Sequence, residues 1–180
     1  MGSLRALTKQ AVRRYLSDEG GAATVEFVII APLFFAIVFS TFEAGWLMTK
    51  SMMLDRGLDM AVRDLRVDLI NPATKQNIKK AICDYSKILD NCETQIVLEM
   101  VNINNINDYP ATNAQCYDRV NTVEPVTGFV VGGRSTTMFI RACVVVDPIF
   151  PFLGLGLEMP KDPSGGIRMV SYSAFVNEPS

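Results

Sequence analysis

The sequence predicts an α+β protein: a long N-terminal transmembrane α-helix continues into a domain where a second helix packs on a small, mostly antiparallel β-sheet. Three observations predict it. No charged side chain occurs from Phe27 to Phe42, and the apolar run carries on through Ala44–Met48, enough for the ~20 residues that a bilayer requires. Apolar residues then recur at helical spacing to about residue 89. From residue 93 the period shortens to that of strands. Helices followed by strands give this class.

The chain opens on a leader, residues 1–21, in which Arg5, Lys9, Arg13 and Arg14 face Asp18 and Glu19. Basic residues just before a span predict a cytoplasmic amino terminus. Leu4, Leu7, Ala11, Val12 and Leu16 fall at helical spacing. Residues 4–16 therefore suit either a basic amphipathic helix on the inner leaflet or an unstructured leader. The apolar run exceeds the roughly 7–15 residues of a secretory signal, and no Ala-x-Ala site follows it closely.

The span covers residues 22–49. Glu26 and Glu43 bracket its core, 17 residues apart. That is roughly 25 Å along a helix, less than the ~30 Å hydrocarbon layer, so both acids can lie near an interface. An intramembrane acid is costly and marks function. Pro32 removes one hydrogen bond in mid-helix and predicts a kink or a loosened turn. Gly45-Trp46 and Lys50 suit an anchor at the outer interface, with the indole at headgroup depth.

A basic leader, a glycine, then an apolar segment with glutamate at its fifth position resembles the prepilin-peptidase signal of type IV pilins. The string Gly20-Gly21-Ala22-Ala23-Thr24-Val25-Glu26-Phe27, with Ala31-Pro32 and Phe42-Glu43-Ala44-Gly45, resembles the TadE-like (TadE/TadF) minor pseudopilins of tight-adherence (Tad, Flp) pili. The likeness runs from about Gly20 to Arg66; its Ala-Arg-rich end is echoed only loosely in Ala61-Val62-Arg63-Asp64-Leu65-Arg66. It implies a structural component of the bacterial inner membrane, cut by a prepilin peptidase after Gly21, with Asp18 and Glu19 a departure from a simple basic leader. Ala22 would then carry a new amine, which in pilin assemblies pairs with the fifth-position glutamate of a neighbour, here Glu26. Pro32 and Glu43 complete the residues it assigns to subunit assembly. The implied partners are the peptidase, other minor pseudopilins, the major pilin, the inner-membrane assembly platform and membrane lipid. An uncleaved signal anchor carrying a periplasmic interaction module is the alternative, with Glu26 a helix acid favoured by the macrodipole.

Past the membrane, the helix is expected over residues 50–69. Leu54, Leu58, Ala61, Leu65 and Leu69 form one stripe, with Met53 and Val62 beside it. Asp55, Arg56, Asp59, Arg63 and Arg66 make the opposite, solvated face. Asn71-Pro72 reads as an N-cap and first helical position, opening a second helix over 72–89. Its apolar face holds Ile78, Ala81, Ile82, Tyr85 and Leu89, and Lys75, Lys79, Lys80 and Lys87 cover a solvated remainder.

Strands are expected over 94–103, 136–146 and 167–176, with 136–146 central because nearly every residue there is β-branched or apolar. Gly128–Gly133 suggests a short strand and turn. The polar stretch 102–135 is long enough to be a binding or interaction loop. Its Asn104–Asp108 cluster lacks the carboxylates and the glycine of a calcium loop. The apolar loop 148–157 either packs under the sheet, the favoured reading, or forms an exposed docking patch for another subunit or the membrane surface.

The four cysteines, Cys83, Cys92, Cys116 and Cys143, all follow the span. An even number there points to disulfides in an oxidising, periplasmic space. Three connectivities are open; a local Cys83–Cys92 bridge would leave Cys116 to pin the long loop to Cys143. Zinc sites are built from cysteine pairs a few residues apart, and this spacing argues against one. The chain has no histidine, which removes the His-dependent nucleophile and metal systems, so no catalytic residue, cofactor or enzyme activity is expected. A net charge of −2 is not the basic field that nucleic acid requires.

Overall fold

The computed structural model describes residues 21–177; the leader and its expected amphipathic helix lie outside them. The architecture is α+β. Helix α1 runs Ala22–Arg66, 45 residues, or roughly 68 Å at 1.5 Å per residue. It continues through Pro32, whose missing N–H leaves the Val28 carbonyl without its usual helical donor. The amino-terminal part is long and apolar enough to cross a membrane, and its most apolar stretch is not buried by any of the described residues. Beyond it the predicted stripe is buried at Leu54, Leu58, Ala61 and Val62. Leu69 is not part of the stripe: the helix ends at Arg66, Asp68 takes a left-handed φ of 58°, and Leu69 turns out to solvent.

Helix α2 spans Lys75–Tyr85, shorter at both ends than the expected 72–89. Its N-cap is Thr74, whose Oγ1 accepts from the Asn77 N–H at 3.2 Å. The cis Asn71-Pro72 pair lies in the connection, where the Pro72 carbonyl accepts from Thr74 N–H and Asn77 Nδ2. At its other end α2 stops because Ser86 leaves helical geometry and donates its hydroxyl to the Met53 carbonyl of α1 at 2.9 Å. The two helices nearly touch there: a Cβ on Gly57 would lie 2.7 Å from the Ile82 carbonyl oxygen.

A helical turn, α3 (Cys92–Gln95), precedes the sheet, and Ile96 N–H bonds back to Cys92. The first strand, expected from residue 94, therefore begins only at Val97. Strands β1 (Val97–Asn102), β2 (Thr137–Val146) and β3 (Ile167–Val176) form one antiparallel sheet in the order β1-β2-β3. Cys143 faces Val97 and Ile167 faces Val146 across the two ladders. Gly128–Val130 makes only a single parallel bridge with Met100 and is an edge contact, not a strand. One sheet face, with Leu98, Met100, Met138, Ile140, Val144, Met169 and Phe175, packs on Leu54, Leu58, Ile78 and Ile82 of the helices.

The long polar loop is fastened down the sheet's other side and edges. Cys116 is bonded to Cys143, and Cys83 to Cys92. Arg119 holds Asp147 at 2.8 Å, Arg141 donates to the Ala111 carbonyl at 2.7 Å, and Thr127 donates to the Leu98 carbonyl at 2.7 Å. Asp108 accepts from the Asn104 and Asn105 N–H groups at 2.8 Å each, which is ordinary turn chemistry.

The lysine face of α2 is not wholly solvated. Lys79 is buried, 3% exposed, and reaches Glu124 at 2.8 Å, as does Lys75. Burial pushes the Glu124 carboxyl up, but the hydrogen bonds and charges of the two lysines outweigh it and hold the carboxyl below its ordinary value. A depressed folded-state value stabilises the fold above the unfolded carboxyl's pKa of about 4.3, and the contribution is lost as pH falls through the folded value. Thermal unfolding followed from pH 7 to pH 3 is expected to show a falling midpoint below about pH 4.3 that is shallower in Glu124→Gln. At pH 7 the variant should be less stable by roughly 1–3 kcal/mol, because the Lys79 ammonium is left buried without its carboxylate.

Candidate functional site

Every residue singled out on the amino-terminal segment lies on α1, and the helix separates them into two places. At its start, Gly21 occupies the N-cap with φ −88° and makes no side-chain capping bond. A Cβ there would meet nothing within 4 Å. Among the described residues, neither backbone geometry nor packing calls for glycine at that position. Ala22 is the first helical residue. Glu26 follows one turn later, exposed and without a hydrogen-bond or ion-pair partner among the described residues. Pro32 is also exposed.

Glu43 is different. It is fully buried, and both carboxyl oxygens are used: Oε1 accepts from Ile149 N–H at 3.0 Å and Oε2 from Phe150 N–H at 2.8 Å. One turn earlier Ser40 Oγ accepts from Leu155 N–H at 3.1 Å while donating to the Ala36 carbonyl at 2.6 Å. Phe39 and Phe150 rings lie 4.8 Å apart. Gly154 (φ 54°) sits where a Cβ would come within 2.2 Å of Ser40 Oγ, so its position excludes a side chain both sterically and conformationally. The apolar loop thus does not take the favoured place under the sheet: it lies along α1, with Phe152 at its tip exposed. It is clasped to α1, because a carboxylate in an apolar run must find donors and two consecutive N–H groups supply them.

Lys50, expected as an interfacial anchor, is likewise drawn inward. It is 5% exposed, lies 3.6 Å from Asp90 and stands over the Trp46 ring at 5.2 Å. Ser40 and the backbone of 149–155 were not singled out by sequence reasoning. Two polar residues three apart on one helix face, Ser40 and Glu43, inside an otherwise apolar run were the available signal.

Residues 21–63 match the family model described as TadE-like protein. The amino-terminal segment is TadE-like. The match begins at Gly21, takes in Glu26, Pro32 and Glu43, and ends inside α1. The disulfide-bonded domain beyond α1 falls outside this TadE-like segment. No curated protein and no solved structure matches the chain.

Proposed function

We propose that the chain is a minor pseudopilin, a structural and assembly component of a Tad (Flp) type IV pilus, with its amino terminus in the cytoplasm and its disulfide-bonded domain in the periplasm. A prepilin peptidase removes residues 1–21. Ala22 then carries the new α-amino group, and Glu26 of one subunit receives the amine of the next, or that of the major pilin. Such a pair is far better tolerated in lipid than either charge alone. The role is structural, not catalytic.

Gly21 carries this reading. The described residues leave open space around it and so set no demand for a residue without a side chain, whereas a peptidase that must reach the scissile backbone would set one. Glu26, exposed at the fifth position after the cut, is available to a neighbour. Four basic residues before the span support the orientation, and two disulfides after it support an oxidising space.

The test is the amino-terminal sequence and intact mass of the membrane-purified chain, with and without a co-expressed prepilin peptidase. A start at Ala22 that depends on the peptidase is expected. Gly21→Leu should keep the unprocessed mass while its domain unfolds within about 0.5 kcal/mol of the parent, as an open site allows. A start at residue 1 or 2 under both conditions would leave an uncleaved signal-anchored module, and the pilus reading would fall.

A further inference from the structure

We propose that the loop Pro148–Met159 is a second membrane contact, its apolar tip lying among the acyl chains of the leaflet nearest the domain. The proposal rests on α1 being a membrane span, and not on peptidase processing or pilus assembly. Depth comes first. Any ~20-residue window that crosses the hydrocarbon and covers the uncharged run Phe27–Phe42 also contains Ser40. The loop is bonded to α1 at Ser40 and Glu43, and a Cβ on Gly154 would lie 3.2 Å from the Ala36 carbonyl oxygen, a further turn into that run. The loop therefore occupies the same depth as residues that face lipid.

Chemistry agrees with depth. Phe152 is 86% exposed, Leu157 53% and Ile149 49%, an apolar surface that is continuous with the exposed Phe42 of the span across a groove of about 490 Å³ between α1 and Ile149-Phe150. Irregular backbone is excluded from hydrocarbon because its polar groups go unpaired, and this loop pairs many of its own. Pro148 and Pro151 have no N–H to satisfy. The N–H groups of Ile149 and Phe150 go to Glu43 and that of Leu155 to Ser40. Those of Leu153, Leu157 and Met159 bond within the loop, and Lys161 Nζ donates to the Pro151 carbonyl at 2.9 Å. An apolar tip on a loop whose backbone is partly paired within itself and to α1 suits shallow insertion at the acyl boundary. The consequence is that the domain leans on the membrane at two points and is held in one orientation to it.

The experiment uses the full chain in phosphatidylcholine vesicles, some with lipids brominated midway along the acyl chain, in a Trp46→Phe background. Single tryptophans replace Phe152, Leu33 on the span, or Val126 in the polar loop, and Leu157→Trp replaces the Phe152 probe if that variant does not fold. Phe152→Trp is expected to lose most of its emission to brominated lipid and little to iodide, as Leu33→Trp does, whereas Val126→Trp shows the reverse. Iodide quenching of Phe152→Trp with Leu33→Trp still lipid-quenched would overturn the proposal and leave the span standing. Protection of Phe152→Trp from both quenchers would also overturn it, since a protein surface would then cover the tip. Failure of lipid quenching at Leu33→Trp would remove the span itself and this proposal with it.

Discussion

Glu43→Ala is expected to release the loop Pro148–Met159 from α1 and to destabilise the domain by roughly 2–6 kcal/mol, because two backbone N–H groups lose their acceptor and each such loss costs about 1–3 kcal/mol. The upper end applies if the loop stays docked and unpaired; rehydration of the freed loop brings the cost toward the lower end. Chemical denaturation of the full chain in detergent, followed by near-UV circular dichroism, gives the stability. Limited proteolysis gives the local effect, as new cleavage between residues 148 and 159. Glu43→Gln should fall between the parent and Glu43→Ala, since its one carbonyl oxygen can serve only one of Ile149 and Phe150 while its amide points a donor at the other. An unchanged midpoint and an unchanged cleavage pattern in Glu43→Ala would show the clasp to be incidental.

The same measurement separates the two acids of the segment. Glu26 is exposed and has no hydrogen-bond or ion-pair partner among the described residues, so Glu26→Ala should leave the domain's stability within about 0.5 kcal/mol of the parent. In the sequence both bracket one apolar run, and the distance from Gly21 sets Glu26 apart. In the folded chain both oxygens of Glu43 are engaged by the loop's N–H groups, whereas Glu26 is exposed and has no such partner among the described residues.

What could be read beforehand was whatever lies in local pattern. The uncharged run marked the span, the helical stripe marked Leu54, Leu58 and Ala61 as a docking face, and dense β-branching marked β2 as the central strand. Of the three cysteine connectivities left open, the structure contains the one with a local Cys83–Cys92 bridge. What could not be read was choice among distant partners. Glu43 finds its donors 106 and 107 residues away, and Lys79 finds Glu124 45 residues away; no periodicity encodes either. The start of α2 was missed for a different reason. Asn71-Pro72 and Thr74 are both good helix-start chemistry, and the deciding factor was the Pro72 carbonyl's role in the turn, which only the assembled chain reveals.

The two disulfides should differ in worth, and the difference follows from how much chain each closes. Cys116–Cys143 spans 27 residues and Cys83–Cys92 spans 9. Loop-closure entropy then assigns roughly 3–4 kcal/mol to the first and roughly 2–3 kcal/mol to the second. Position widens the gap. Cys143 is fully buried on the central strand, and its partner is one of the points that tie the polar loop to the sheet, together with Arg119–Asp147 and Thr127–Leu98. Cys83–Cys92 instead joins α2 to α3 (Cys92–Gln95), which Ile96 already secures through a backbone bond to Cys92. Cys116→Ala/Cys143→Ala is therefore expected to lower the denaturation midpoint more than Cys83→Ala/Cys92→Ala and to open residues 103–136 to protease. Alanine at position 143 avoids burying a hydroxyl without a partner. Equal losses, or the reverse order, would mean that the ionic and backbone ties hold the loop without the bridge, and that the sheet owes its edge to Glu124, Arg119 and Thr127 instead.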